Sequence, residues 1–331
     1  MTKILLIGDP HIRHTHLSEG KALLDWIEVI AEEHKPDLIV NLGDTFNDHS
    51  VIRSEVMCTV SRHLDRLLEN NIPVVMVLGN HDMHRPNSSE YHALEVFDSK
   101  KNITIADVAT VADGITYVPY IHEAKDWPKT STGIVITHNT FIGADYGFKT
   151  ASDGLSTEQL DCDFVASGHI HKRQVIEYGS LRSGRILYPG TPMCLSASDA
   201  DQVKGLTILD TKDFSQIFIK SPFPMWRTLE FKVGINSAIN VNTTDMWIVK
   251  MIGPRAEVKA LLESKEIAEL KKSAHVTFKT EFTDTARSSK VSISAPTIET
   301  MTDQYIDKVY SGSIDKGTLK STLRHYTEAN R

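Results

Sequence analysis

The chain contains five short apolar runs, and each stops at residues that bind hard or borderline metal ions. Run 4–7 leads to Asp9 and His11, run 38–42 to Gly43 and Asp44, and run 74–78 to Gly79, Asn80, His81 and Asp82. Run 134–136 leads to Thr137 and His138, and run 164–166 to Gly168, His169 and His171. Strands buried inside an α/β sheet present their carboxyl ends along one edge, where ligands and active sites collect. Five such ends bring together two Asp, one Asn and four His as candidate ligands, and a metal cluster is the leading reading.

The pattern along the chain supports that geometry. A helical stripe over about 18–34 (Leu23, Leu24, Ile27, Ile30) and another over about 52–71 (Val56, Val60, Leu64, Leu67, Leu68) alternate with strands over 4–7, 37–42 and 74–78. This β-α-β-α-β order is the signature of a parallel sheet with right-handed crossovers. Shorter strands are expected over 115–118, 134–136, 175–178 and 185–188, the last two forming a hairpin, with 206–210 and 216–220 finishing the sheet. Pro222 and Pro224 then break both helix and sheet and mark a linker. Beyond it, strands over 229–233, 247–251 and 276–282 and one helix opened by Pro254 predict a small α+β unit. Two short helices, about 299–310 (Met301, Tyr305, Ile306, Val309) and 315–329 (Leu319, Leu323, Tyr326), close the chain around Ser311, Gly312 and Ser313. They carry too few apolar residues for a core of their own and read as a docking surface.

With 331 residues, 40% hydrophobic and 24% charged, the chain is a globular protein of two or three units. Its opening apolar run is too short for a signal peptide and no run approaches a membrane span, which predicts a cytoplasmic location. Cys58, Cys162 and Cys194 lack disulfide or zinc spacing and read as inert core residues of a reducing compartment. The net charge of −7 is uneven: residues 226–331 hold 16 Lys/Arg against 13 Asp/Glu, a net of +3, leaving −10 for residues 1–225. Part of that acidity is ligand carboxylate, to which two divalent ions would return roughly +4. A phosphate-bearing substrate is therefore compatible with the acidic balance.

Two metals about 3.5–4 Å apart can clamp the attacking and leaving oxygens of an in-line phosphoryl displacement. Asp44 is the candidate bridge. Asp9, His11 and His171 would complete one metal, and Asn80, His138 and His169 the other. A mixed imidazole and oxygen set suits Mn, Fe or Zn rather than Ca or Mg alone. His81, beside Asn80, could protonate the leaving oxygen or stabilise charge on the equatorial phosphoryl oxygens, with Asp82 orienting it. His14, His16, His49, His84 and His92 read as rim or solvent positions, and Asp48 and Asp199 as loop carboxylates.

The five motifs together resemble the calcineurin-like metallophosphoesterase superfamily over residues 1 to about 210. The resemblance implies a two-layer β-sandwich flanked by helices, a dinuclear metal site and phosphoester hydrolysis. Within the superfamily the chain looks like the SbcD-type DNA repair nucleases, especially phage recombination nuclease subunits. Three features carry this: Tyr188, Pro189, Gly190, Thr191 and Pro192 with Ser196 and Asp199 downstream; the run Gly79, Asn80, His81, Asp82, Met83, His84; and the size of the chain. On physics alone the 188–192 segment is a structural turn.

That resemblance implies a nuclease domain over 1–225, an α+β DNA-binding cap over 226–296, and a helix pair over 297–331 that binds an SbcC-type coiled-coil ATPase. It also implies a homodimer, DNA as substrate, and two divalent ions, Mn²⁺ first, with Mg²⁺, Fe²⁺ or Zn²⁺ as further candidates. The archaeal and eukaryotic relatives carry a His that influences exonuclease action where this chain has Asn47, and bacterial relatives lack it too. The balance of exonuclease and endonuclease action stays open, and a small-molecule phosphodiesterase of the same fold is the alternative.

Overall fold

A computed structural model describes residues 2–130, 132–179, 184–284, 306–307 and 315–329. The strands run in chain order as β1 (Lys3–Ile7), β2 (Leu38–Asn41), β3 (Val74–Val77), β4 (Met83–Arg85), β5 (Ser88–His92), β6 (Ile103–Ala106), β7 (Thr110–Ala112), β8 (Ile115–Val118) and β9 (Ile134–Thr137). They continue as β10 (Phe164–Ser167), β11 (Gln174–Tyr178), β12 (Gly184–Tyr188), β13 (Gly205–Asp210), β14 (Gln216–Lys220), β15 (Trp226–Lys232), β16 (Met246–Gly253) and β17 (His275–Phe282). One six-stranded sheet has the order β14-β13-β1-β2-β3-β6 and a second the order β11-β12-β10-β9-β8-β7.

The apolar runs are unbroken because both faces of these strands are buried. Ile4, Leu6, Leu38, Val40, Val75 and Val77 pack with Tyr117, Ile136, Phe164 and Leu187 of the other sheet. The alternate residues Leu5, Ile7, Ile39 and Met76 pack instead under helices α1 (Leu17–His34) and α2 (Ser54–Glu69). Period-two alternation thus separates two apolar layers rather than core from water. The expected sandwich with flanking helices is what the chain forms. Strands β1, β2, β3 and β6 are parallel, as are β8, β9, β10 and β12, so the carboxyl ends that carry the motifs open on a common edge.

Several expectations change in detail. The hairpin β4–β5 and strand β6 carry no strong alternation and escaped the sequence reading. The helix after Pro254 is two helices, α3 (Arg255–Leu262) and α4 (Lys265–Ser273), because the Ser264 hydroxyl accepts a hydrogen bond from the Ile267 N–H and starts a new helix. Cys58 is exposed rather than in the core. Strands β15, β16 and β17 form a separate parallel three-stranded sheet whose core holds Phe231, Val249, Met251 and Val258. A helix spans Lys316–Ala329. The expected partner helix over 299–310 lies outside the described residues apart from Ile306, which is buried, and Asp307. The hairpin turn at 180–183 also lies outside them. No described helix is long and apolar enough to cross a membrane.

A part-buried cluster of His63, Glu28 and Arg66 pins α1 to α2. His63 Nδ1 stands 2.6 Å from Glu28 Oε1, and Arg66 Nε donates to Glu28 Oε2 at 2.7 Å. Burial holds the His63 pKa below its ordinary value. The unfolded chain then takes up a proton that the folded chain refuses, so this contribution to stability is intact above about pH 6.5 and falls as pH drops below it. Urea unfolding between pH 8 and pH 5 is expected to show the loss, with a shallower slope in a His63→Gln variant. An unchanged slope would remove His63 from the pH response.

Candidate metal centre

Each motif loop is shaped by short-range bonds before any ligand is considered. After β2, the buried Asn41 side chain accepts from the Gly43 N–H at 3.1 Å and donates to Thr45 Oγ1 at 2.9 Å, turning the chain so that Asp44 points across the strand ends. The loop after β1 joins it, with the His11 N–H donating to the Asp44 carbonyl at 3.0 Å. His11, Asp44 and His169 all adopt positive φ (46°, 49° and 74°), a region that residues other than glycine visit rarely. Such conformations persist only where the surroundings over-determine them, and they gather at functional sites. Two glycines are required by proximity. A Cβ on Gly79 would lie 2.2 Å from the Asp44 nitrogen, and one on Gly168 would lie 2.6 Å from His138 Nδ1.

The seven candidate ligands converge in two overlapping sets. In the first, His11 Nε2 is 3.2 Å from His171 Nε2, and His171 Nε2 is 3.8 Å from Asp9 Oδ2. In the second, Asn80 Oδ1 lies 2.9 Å from His169 Nδ1 and 3.3 Å from His138 Nε2. Asp44 Oδ2 stands between them, 3.6 Å from His11 Nε2 and 3.3 Å from His138 Nε2. His138 donates from Nδ1 to the Leu42 carbonyl at 2.7 Å, which aims its Nε2 at the cluster.

The electrostatics of this group call for a cation. Burial drives His11 and His169 down to about 3 and His171 to about 4, leaving neutral rings, each with a lone pair on one ring nitrogen. Burial likewise raises Asp9 to about 7. At His138 burial is outweighed by the Asp44 carboxylate, which lifts it to about 9, while Asp44 is held below the usual carboxylate range against its own burial, chiefly by His138. Asp9 Oδ2 and His11 Nδ1 are buried with no hydrogen-bond partner. Carboxylate, amide and imidazole donors that crowd together in this way fit divalent ions. The groupings Asp9–His11–His171, His11–Asp44–His81 and Asp44–His138–His169 each bring their ligand atoms within 4.8 Å of one another.

The two residues expected to act beside the ligands behave differently from each other. His81 reaches the cluster, its ring edge-on to His11 with centroids 4.8 Å apart. Asp82 does not orient it. The Asp82 carboxylate, fully buried, accepts from the Phe46 N–H and the Gly79 N–H, each at 3.1 Å, and so holds two motif loops together. The orienting acceptor is the Asn47 carbonyl, 2.7 Å from His81 Nδ1. His49 stacks on His81 at 4.2 Å, and the His92 side chain is 5% exposed beside Asp107, so of the expected rim or solvent positions both take the rim. His14, His16 and His84 are exposed as expected.

Residue-type reasoning also missed the support beneath His171. Lys204 is fully buried, and its ammonium donates to the His171 carbonyl at 2.8 Å, Asp199 Oδ1 at 3.0 Å and Gln202 Oε1 at 3.0 Å. Asp199, expected to be an ordinary loop carboxylate, is 2% exposed and also caps the Leu195 and Ser196 N–H groups. The only available signal was a lysine placed directly before the apolar strand β13. Tyr188 is more than part of a turn. Its hydroxyl accepts from the Phe141 N–H at 2.8 Å and donates to the Asn139 carbonyl at 3.1 Å, fixing the segment after His138.

Comparison with known proteins agrees with this geometry. The calcineurin-like phosphoesterase family matches residues 2–173, which contain all seven candidate ligands. The chain belongs to this family, which uses divalent metal ions, and is a hydrolytic enzyme of the metallophosphoesterase kind. It is similar to a phosphoesterase-named protein of Invertebrate iridescent virus 3 (23% identity, 66% of this chain and 66% of that one). It is also similar to exonuclease subunit 1 of Enterobacteria phage T4 (24%, covering 74% and 77%). A third relative is the SbcD subunit of the SbcCD nuclease of Staphylococcus saprophyticus (27%, covering 64% and 66%). The chain spans about two thirds of the length of the first and third of these.

Removing Lys204 strands the buried Asp199 charge and frees the His171 backbone. Lys204→Met is expected to cost about 3–5 kcal/mol in urea unfolding, and to shrink the rise in Tm on adding Mn²⁺. A variant that keeps both quantities would show that the buried ammonium supports neither the fold nor the site.

Proposed function

We propose that the protein is a Mn²⁺-dependent DNA nuclease that hydrolyses phosphodiester bonds as part of an SbcC–SbcD-type end-processing complex in recombination and repair. The observation that carries the reading is the position of Asp44, one carboxylate oxygen standing between two mixed N/O donor sets. In this assignment Asp9, His11 and His171 would hold one ion and Asn80, His138 and His169 the other, with Asp44 available to both. Bound there, the two ions supply Lewis-acid polarisation of the phosphoryl group and a nucleophilic water at neutral pH.

The remaining work falls to the chain's own groups. His81 keeps its Nδ1 proton on the Asn47 carbonyl, so only its imidazolium form, with a second proton on Nε2, can hand that Nε2 proton to the departing 3′ oxygen and return to the neutral ring. Asp82 acts through the backbone it ties, holding the loops of Asp44 and Asn80 in register. Residues 226–296 are assigned to DNA contact as a cap, supported by the separate sheet β15–β17 and the net positive charge of residues 226–331. Residues 297–331 are assigned to docking an SbcC-type ATPase, and the nuclease core to a homodimer. Two relatives that are by name subunits of nucleases support a multi-component assembly. A small-molecule phosphodiesterase is the second reading, favoured by the viral relative named only as a phosphoesterase. Full activity after deletion of residues 226–331 would support it.

The test is incubation of the purified protein and a His81→Asn variant with Mn²⁺ and end-labelled linear duplex and single-stranded DNA, with and without the ATPase partner and ATP. The expected result is degradation that drops by about 10²-fold or more in the variant, the usual contribution of a general acid. DNA left intact under every condition, while a bis-aryl phosphodiester is cleaved, would transfer the assignment to the small-molecule reading.

A further inference from the structure

A cavity of about 570 Å³ adjoins the metal centre on the His11 side, between the loops after β1 and β12 and the first residues of the three-stranded sheet. Its walls include His11, Arg13, Met193, Leu195, Trp226 and Met246. We propose that this cavity binds the nucleoside joined to the phosphoryl group under attack. An unpaired base would lie against Trp226 and the methionines, and the adjoining phosphate against Arg13. The inference rests on the phosphodiesterase reading above and extends it to the part of the substrate that does not react.

Four observations support it. The cavity is continuous with the site, because His11 borders it while its Nε2 stands 3.2 Å from His171 Nε2. Its volume falls within the roughly 300–1,000 Å³ of small-molecule sites. Its lining suits a flat heteroaromatic ring, since indoles stack on bases whatever their sequence and thioethers pack well against aromatic faces. Finally, Arg13 is fixed at the wall by a hydrogen bond from Nη2 to the Leu195 carbonyl at 2.9 Å, which uses one of its five N–H donors. Glu19, the carboxylate at the same cavity, is occupied by the Ser18 hydroxyl at 2.7 Å.

The cavity on the opposite side, at His169, is smaller at about 310 Å³ and more polar, with Asn139, Thr140, Tyr146 and Asp153 among its walls. Tyr120, Ile121, His122 and Leu155 also line it, but among the described residues no lysine or arginine does, so it lacks the permanent cation that Arg13 gives the His11-side cavity. A base held in a duplex is paired and stacked and cannot enter the His11-side cavity without leaving the helix. The site would therefore favour single strands and frayed ends over internal duplex.

Calorimetric titration of the Mn²⁺-loaded protein with deoxyadenosine 5′-monophosphate and with inorganic phosphate separates the cavity from the metals. The wild type is expected to bind the nucleotide at least ten-fold more tightly than phosphate. Trp226→Leu, which keeps apolar bulk and removes the π-face, and Met246→Ala should each lose most of that preference. Unchanged phosphate affinity in the variants reports that they remain folded. No preference in the wild type, or a preference retained in both variants, overturns the proposal. DNA left uncleaved by a wild type that keeps the nucleotide preference would dismiss the nuclease reading and leave the cavity assignment standing. DNA cleavage without the preference would do the reverse.

Discussion

Two carboxylates and four imidazoles crowd into a space from which water is largely excluded, and the loops around them are arranged to keep them there. Asp9, His11, Asp44 and His138 are all buried, and burial alone would neutralise the carboxylates. Without a cation the cluster settles its charge internally, with Asp44 ionised against a protonated His138. Divalent ions would replace that pairing, with Asp9, His11, Asp44, Asn80, His138, His169 and His171 as the groups that would hold them. The buried, unpartnered Asp9 oxygen is the plainest sign that the chain alone does not complete the group.

That demand explains features with no other physical account in the fold. Positive φ at His11, Asp44 and His169 costs energy at each residue, and the cost is held by backbone bonds between loops from neighbouring strands. Asp82 and Lys204 brace the loops at longer range, Asp82 accepting from two main-chain N–H groups and Lys204 donating to the His171 carbonyl as well as to Asp199 and Gln202. The two-sheet architecture supplies the rigid base. Ligands from β1, β2 and β3 meet ligands from β9 and β10 because both sheets present carboxyl ends on one edge.

The candidate ligands are legible in the sequence because their signals are local. A donor residue directly after an apolar run can be read from residue types alone, and Asp9, His11, Asp44, Asn80, His138, His169 and His171, named in that way, are side chains that the structure brings together. What stayed hidden depends on atoms or neighbours that residue types do not display. The acceptor that orients His81 is a backbone carbonyl, so Asp82 took the role in the sequence reading by adjacency. Asp199 reads as an ordinary loop carboxylate and Lys204 attracts no reading at all, because burial is decided by chain segments far apart. The break between α3 and α4 turns on one serine hydroxyl, too small a signal to end an otherwise continuous apolar stripe.

Crystals grown with Mn²⁺ and measured at the manganese absorption edge would locate the ions themselves. Two anomalous peaks about 3.5–4 Å apart are expected. One would lie among Asp9, His11 and His171, the other among Asn80, His138 and His169, with Asp44 contacting both. A single peak, or none with the seven side chains in the positions described, would contradict the two-ion reading.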